Sequence, residues 1–214
     1  MSLNKITKEK LRLNPLTDSK FPYLKDRWGD LDLTSKELVR DFENQQISRY
    51  DVINAYKDYY YNKGNHLKPF IITMIWVFGT VGYGNFRTNK YLTDHKNKEL
   101  IKSALDAVKN DNREKAFKTL KEIQGLSISY ISKILYFAER SFKSENYALI
   151  FDMRVARALV RLNTSDEISE IISVMPSTSF KDYNTYIKMM HQRAQELGVE
   201  AEAIEMYLYE GIFE

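Results

Sequence analysis

The residues whose types and spacing could do chemistry lie between Leu120 and Leu159, in the stretch LKEIQGLSISYISKILYFAERSFKSENYALIFDMRVARAL. It reads as a helix ending at Gln124, a tight apolar turn Gly125-Leu126-Ser127, a second helix to about Arg140, a linker, and an acid, Asp152, opening a third helix. Gly125 can adopt the left-handed geometry that stops the first helix, and the second then starts with free backbone amides, a site for a phosphate oxygen. Such a turn grips a nucleic-acid backbone without reading bases. Asp152 precedes Met153-Arg154-Val155-Ala156-Arg157, so its carboxylate belongs at a helix start, where the dipole favours the ionised form. An ionised acid there can support a developing cation. The plain alternatives are that the turn is only a joint and the acid only a cap.

Four blocks in one order carry a family resemblance: Met74 to Thr88 (MIWVFGTVGYGNFRT), Ser132 to Phe137 (SKILYF), Phe151 to Leu159 (FDMRVARAL) and Tyr186 through Leu208. Together with the hairpin at about 115–140 they make residues 65 to 210 resemble the helix-hairpin-helix DNA glycosylases, in particular the 8-oxoguanine DNA glycosylase-like bacterial branch. The resemblance implies an all-α, two-lobed fold. It also implies a lysine on the second hairpin helix that attacks the sugar C1′, and an acid after the linker that assists. The family's lysine position is occupied here by Ser129, and Ser127 replaces the second glycine of the turn. The nearest lysine, Lys133, lies four residues on, about 40° around a helix, and helical side chains lean toward the N-terminus, so it can reach back over Ser129. Lys133 is therefore the candidate nucleophile and Asp152 the candidate electrostatic partner. The other reading of Lys133 is a solvated lysine on a polar stripe with Ser129, Tyr136 and Arg140.

Gly125, Leu126, Ser127, Ser129 and Arg154 are the candidate DNA contacts. In the family the Gly79 to Asn85 loop lies near the substrate pocket, which makes Trp76, Tyr83 and Arg87 secondary candidates. The implied activity is base-excision N-glycosylase, with AP lyase, on oxidised purines such as 8-oxoguanine. Its partner would be damaged double-stranded DNA, met by a monomer. Two alternatives remain: a DNA-binding module of the same fold that lost its chemistry, and a helical protein-interaction scaffold.

Composition narrows the classes. The 214 residues, 43% hydrophobic and 29% charged, suit a globular chain with one good core or two small ones. No apolar run approaches the roughly 20 residues that cross a bilayer, and Met1-Ser-Leu-Asn-Lys lacks the apolar core of a secretion signal, so a cytoplasmic protein is expected. Zero cysteines exclude disulfides, thiol nucleophiles and iron–sulfur clusters, and the three scattered histidines predict no metal site and no cofactor. The glycines at 79, 82 and 84 do not match a dinucleotide loop. The net charge of +3 hides an asymmetry: residues 85–143 carry 13 basic and 7 acidic side chains, residues 144–214 carry 6 and 12. The basic middle, which holds the hairpin, is what phosphate binding needs, although lysine-rich helix surfaces are often only solubilising.

A single helical domain over 1–214 is expected, opened by an N-terminal arm, 1–33, broken by Pro15, Pro22 and the Trp28-Gly29-Asp30 step. Helices are predicted from a Thr34 or Ser35 cap to about Gln46, from about Ser48 through Tyr60, over Leu67 to Phe78 with no partner strands, and from about Arg87. More follow over Leu100 to Ala107, Lys115 to Ile123, 128–140 and 153–162. Residues 163–179 read as a connector with a short helix around Ile168 to Ile172 and a stop at Pro176. Helices at about Phe180 to Leu197 and Glu200 to Tyr209 end the chain, with burial as their expected role.

Overall fold

The computed structural model of the protein describes residues 3, 5–12, 14–79, 81–162 and 179–211. The expected helix around Ile168 to Ile172 and the Pro176 stop lie outside the described residues. Eleven α-helices and one two-stranded sheet make up the regular structure among the described residues, apart from three short 3-10 turns, so the fold is all-α. None of these helices is long and apolar enough to cross a membrane. The chain divides into two compact units, residues 16–142 and residues 1–15 together with 143–214.

After α1 (Pro15–Asp18), the first unit opens with β1 (Lys20–Pro22), which pairs antiparallel with β2 (Gln46–Ser48) in the register Lys20 to Ser48, Phe21 to Ile47 and Pro22 to Gln46. Three residues are too few to show the alternation that betrays a strand in sequence, which is why no strand was expected here. The sheet also shortens the helix expected to run to Gln46: α2 (Leu33–Val39) ends early, and a 3-10 turn, Arg40–Phe42, leads into β2. Its cap is Asp32, two residues before the expected Thr34 and three before Ser35, and Asp32 Oδ1 accepts the Ser35 amide at 3.0 Å. α3 (Arg49–Asn62) begins with a full capping box, Ser48 and Asp51 each bonding the other's backbone amide. Its tyrosines split by position: Tyr60 is buried and donates to the Leu105 carbonyl, Tyr59 donates to Asp106, and Tyr61 is exposed.

α4 (Leu67–Phe78) is the centre of the core, as its unbroken apolar run requires, with Phe70, Ile71, Ile72, Met74 and Ile75 fully buried. Each such side chain contributes about 1.5–3 kcal/mol of burial. α5 (Gly84–Thr93) starts three residues before the predicted Arg87, and at its first residue, Gly84, a Cβ would sit 2.7 Å from the Trp28 ring and 2.9 Å from Phe78. Only glycine fits there. α6 (His95–Lys109) and α7 (Arg113–Lys121) are divided at Asn110-Asp111-Asn112, and Asn112 caps α7 by accepting the Lys115 amide. α7 ends at Lys121, three residues before the expected Gln124, and α8 (Ile128–Arg140) follows.

One ion pair fastens these last two helices. Arg113 on α7 forks onto Glu139 on α8, Nε to Oε1 at 2.8 Å and NH2 to Oε2 at 2.5 Å, with the Glu139 side chain 1% exposed. Removing one partner of a buried pair strands the other charge, which costs about 3–5 kcal/mol. Arg113→Ala is therefore expected to lower the urea midpoint of unfolding by an amount equivalent to about 3 kcal/mol with little change in slope. An unchanged midpoint would mean that the pair does not hold the two helices together.

The second unit contains α9 (Met153–Leu162), α10 (Phe180–Leu197) and α11 (Ala201–Glu210). Leu3, Ile6 and Leu11 of the N-terminal segment are buried, Arg193 on α10 donates to the Ile6 carbonyl at 2.6 Å, and Arg12 pairs with Glu210 at 3.3 Å. α10 ends at Gly198 in left-handed geometry, and Arg154 lies over the Tyr209 ring at 4.9 Å.

Candidate functional site

In the first unit the candidate residues gather on the turn between α7 and α8. Gly125, four residues beyond the end of α7, has φ +85°, a left-handed conformation that shapes the turn, and nothing lies within 4 Å of where its Cβ would be. The space that a side chain would fill is open in front of the turn. Ser127 is the N-cap of α8, yet its hydroxyl makes no capping bond, so the helix starts without a side chain bonded to its leading amides.

α8 is not an amphipathic surface helix. Every residue from Ile131 to Glu139 is buried, and the polar stripe expected through Lys133 and Tyr136 is corrected to a lined interior: Tyr136 is fully buried, and the Arg49 guanidinium lies over its ring at 5.3 Å. Lys133 is 6% exposed, and its Nζ reaches back one turn to donate to Ser129 Oγ at 3.0 Å and to the Ser129 carbonyl at 3.3 Å. The backward lean of helical side chains thus brings the amine to the position that Ser129 occupies. A lysine this deep, with its amine bonded to Ser129, is not a solubilising side chain.

α5 braces the turn from one side. Tyr91 donates its hydroxyl to the Gly125 carbonyl at 2.9 Å, and burial pushes the Tyr91 phenol up from its ordinary range, which keeps it a donor. One helical turn earlier, Arg87 donates to the Tyr130 hydroxyl at 3.1 Å, and Phe78 packs against the Tyr130 ring with centroids 5.6 Å apart. Trp76, in contrast, is a core residue: 4% exposed, edge-on to Phe21 and Phe137, with Arg49 over its ring at 5.5 Å. Tyr83 stands at the opposite extreme, 70% exposed at the start of α5, with Phe86 also 70% and Val81 54% exposed. Asn85 and Asn89 tie the base of this loop to Asp30. Tyr91, Tyr130 and Phe86 were not among the candidates from sequence. Tyr91 is four residues after Arg87 and so shares its helix face, but nothing in spacing reveals a bond to a carbonyl 34 residues away.

In the second unit Asp152 caps α9. Its Oδ1 accepts the Arg154 amide at 3.0 Å and the Val155 amide at 3.2 Å, and its own carbonyl receives the Ala156 amide at 2.9 Å. The carboxylate therefore has a defined direction at the positive end of the helix. The buried run Tyr147 to Phe151 that precedes it is neither helix nor strand.

A family model described as "Putative 8-oxoguanine DNA glycosylase OGG-like protein" matches residues 15–209. The chain belongs to this OGG-like family. Membership makes DNA the substrate class of the OGG-like chain and DNA repair its setting. No curated protein and no solved structure matches the chain. In the OGG-like chain the two residues singled out for chemistry differ in their visible work: Lys133 is buried against Ser129, and Asp152 caps a helix.

Proposed function

We propose that the protein is a DNA N-glycosylase with AP lyase activity, acting on an oxidised purine of the 8-oxoguanine type, with Lys133 as nucleophile and Asp152 as the acid that stabilises the sugar cation. The observation that carries this reading is the Lys133 amine, buried and hydrogen-bonded to Ser129, the residue that stands where the family has its lysine. Attack on C1′ needs a nucleophilic amine, and Lys133 Nζ is the amine that reaches the family's lysine position. The electrostatics of Asp152 at a helix start suit a developing positive charge on the sugar. A base-flipping enzyme also needs surfaces for an opened helix, and the exposed rings of Tyr83 and Phe86 offer stacking area to unpaired bases.

The turn Gly125-Leu126-Ser127 takes the phosphate-gripping role together with Ser129, and Arg154 and the basic excess of residues 85–143 are the further phosphate contacts of this reading. Duplex affinity is then expected to fall steeply with salt, each neutralised phosphate contributing about −0.9 to the slope of log K against log salt. Fluorescence anisotropy between low and moderate salt measures that slope. A salt-independent interaction, or none at low salt, favours the protein-interaction scaffold.

The presence of Ser129 and Ser127 in place of the family's lysine and glycine favours a second reading, a DNA-binding module without chemistry. A panel of oxidised, deaminated and alkylated duplexes separates the two. Base release from any of them supports the enzyme, whereas salt-sensitive binding with no base release from all of them leaves the binding module.

A further inference from the structure

The run Tyr147, Ala148, Leu149, Ile150, Phe151 is buried throughout and belongs to no helix or strand. Backbone carbonyls in such a segment need hydrogen-bond donors from elsewhere, because neither a ladder nor water satisfies them. One side of α10 supplies them. Tyr183 donates its hydroxyl to the Leu149 carbonyl at 2.7 Å and Tyr186 donates to the Ile150 carbonyl at 2.8 Å. His191 meets the Tyr147 carbonyl through Nε2 at 2.8 Å, and since a carbonyl only accepts, that nitrogen carries the proton. The Tyr186 ring packs against Phe151, centroids 4.8 Å apart, and lies parallel to Tyr183 at 6.4 Å. Asp152 is the next residue in the chain.

We infer that Tyr183 and Tyr186 are positioning residues for Asp152: their hydroxyls hold the last two carbonyls before Phe151 and so set where the carboxylate enters the cap of α9. Packing alone would be met by phenylalanine at both places, at no cost for a buried phenol. The two hydroxyls both donate to carbonyls of the segment that delivers the acid. Tyr183 and Tyr186 lie three residues apart and so share one face of α10, which serves as a template for the segment. The inference rests on the role proposed for Asp152, and its test separates the two.

Tyr186→Phe keeps the ring and removes one oxygen, as does Tyr183→Phe. In each variant the amides of Arg154 and Val155, which Asp152 Oδ1 accepts, are expected to exchange with solvent deuterium at least several-fold faster, while the amides of α11 keep their protection. Base release at saturating duplex is expected to slow about tenfold with DNA affinity unchanged, and to slow no further when the same change is made beside Asp152→Asn. Unchanged exchange at Arg154 and Val155 in both variants overturns the inference, and so does an equal slowing in the wild-type and Asp152→Asn backgrounds. If the wild-type chain releases no base at all, the catalytic reading falls, while the exchange measurement still decides whether the two hydroxyls place Asp152.

Discussion

Lys133→Gln is expected to abolish covalent trapping on DNA. In the proposed reaction the Lys133 amine bonds to C1′ as the damaged base departs with the glycosidic electron pair, and opening of the sugar ring converts the adduct to an imine. Borohydride delivers hydride to that imine carbon and leaves a stable secondary amine between protein and DNA. A wild-type chain incubated with an 8-oxoguanine duplex and borohydride should therefore run as a protein–DNA conjugate in a denaturing gel. Gln has no nucleophilic amine, yet its amide can still donate to Ser129, the residue that receives the Lys133 bonds at 3.0 and 3.3 Å, so the fold of α8 should survive. An adduct that persists in Lys133→Gln would move the nucleophile elsewhere, to Lys121 beside the turn or to the α-amino group.

Asp152→Asn is expected to slow base release by roughly a hundredfold or more, because it removes the charge that supports the sugar cation in the transition state. Asn caps a helix about as well as Asp, so the bonds from the Arg154 and Val155 amides should persist and α9 should still start at Met153. Binding to duplex DNA should then remain nearly intact, since the lost charge is repulsive toward phosphate. Single-turnover release combined with anisotropy separates the two effects. A variant that binds weakly yet reacts at the wild-type rate once saturated would make Asp152 a cap and nothing more.

Much of this arrangement was legible because its causes are local. The unbroken apolar run from Leu67 to Phe78 can only be buried, and it forms α4 over that span. Gly125 shapes the turn before α8 by its freedom to take positive φ, and Asp152 caps α9 by chemistry contained within four residues. The absent cysteines and the excess of basic residues between 85 and 143 are likewise properties of the chain before it folds.

What the sequence by itself determined, then, was the helical class, the bounds of α4, α8 and α9, the turn at Gly125, the cap at Asp152 and the family. Tertiary structure alone decided the environment of each candidate. Lys133 and Tyr136 have the spacing of a polar stripe, and their burial depends on partners far away in the chain, such as Arg49 over Tyr136 and Trp76 against Phe137. Trp76 and Tyr83 sit seven residues apart in one block of the sequence, yet one is packed in the core and the other 70% exposed, because α4 ends between them. Tyr183 and Tyr186 read as burial residues until their hydroxyls meet the carbonyls of Leu149 and Ile150. Helix periodicity says which side a residue faces, but the groups it meets there come from segments tens of residues away, and only packing brings them together.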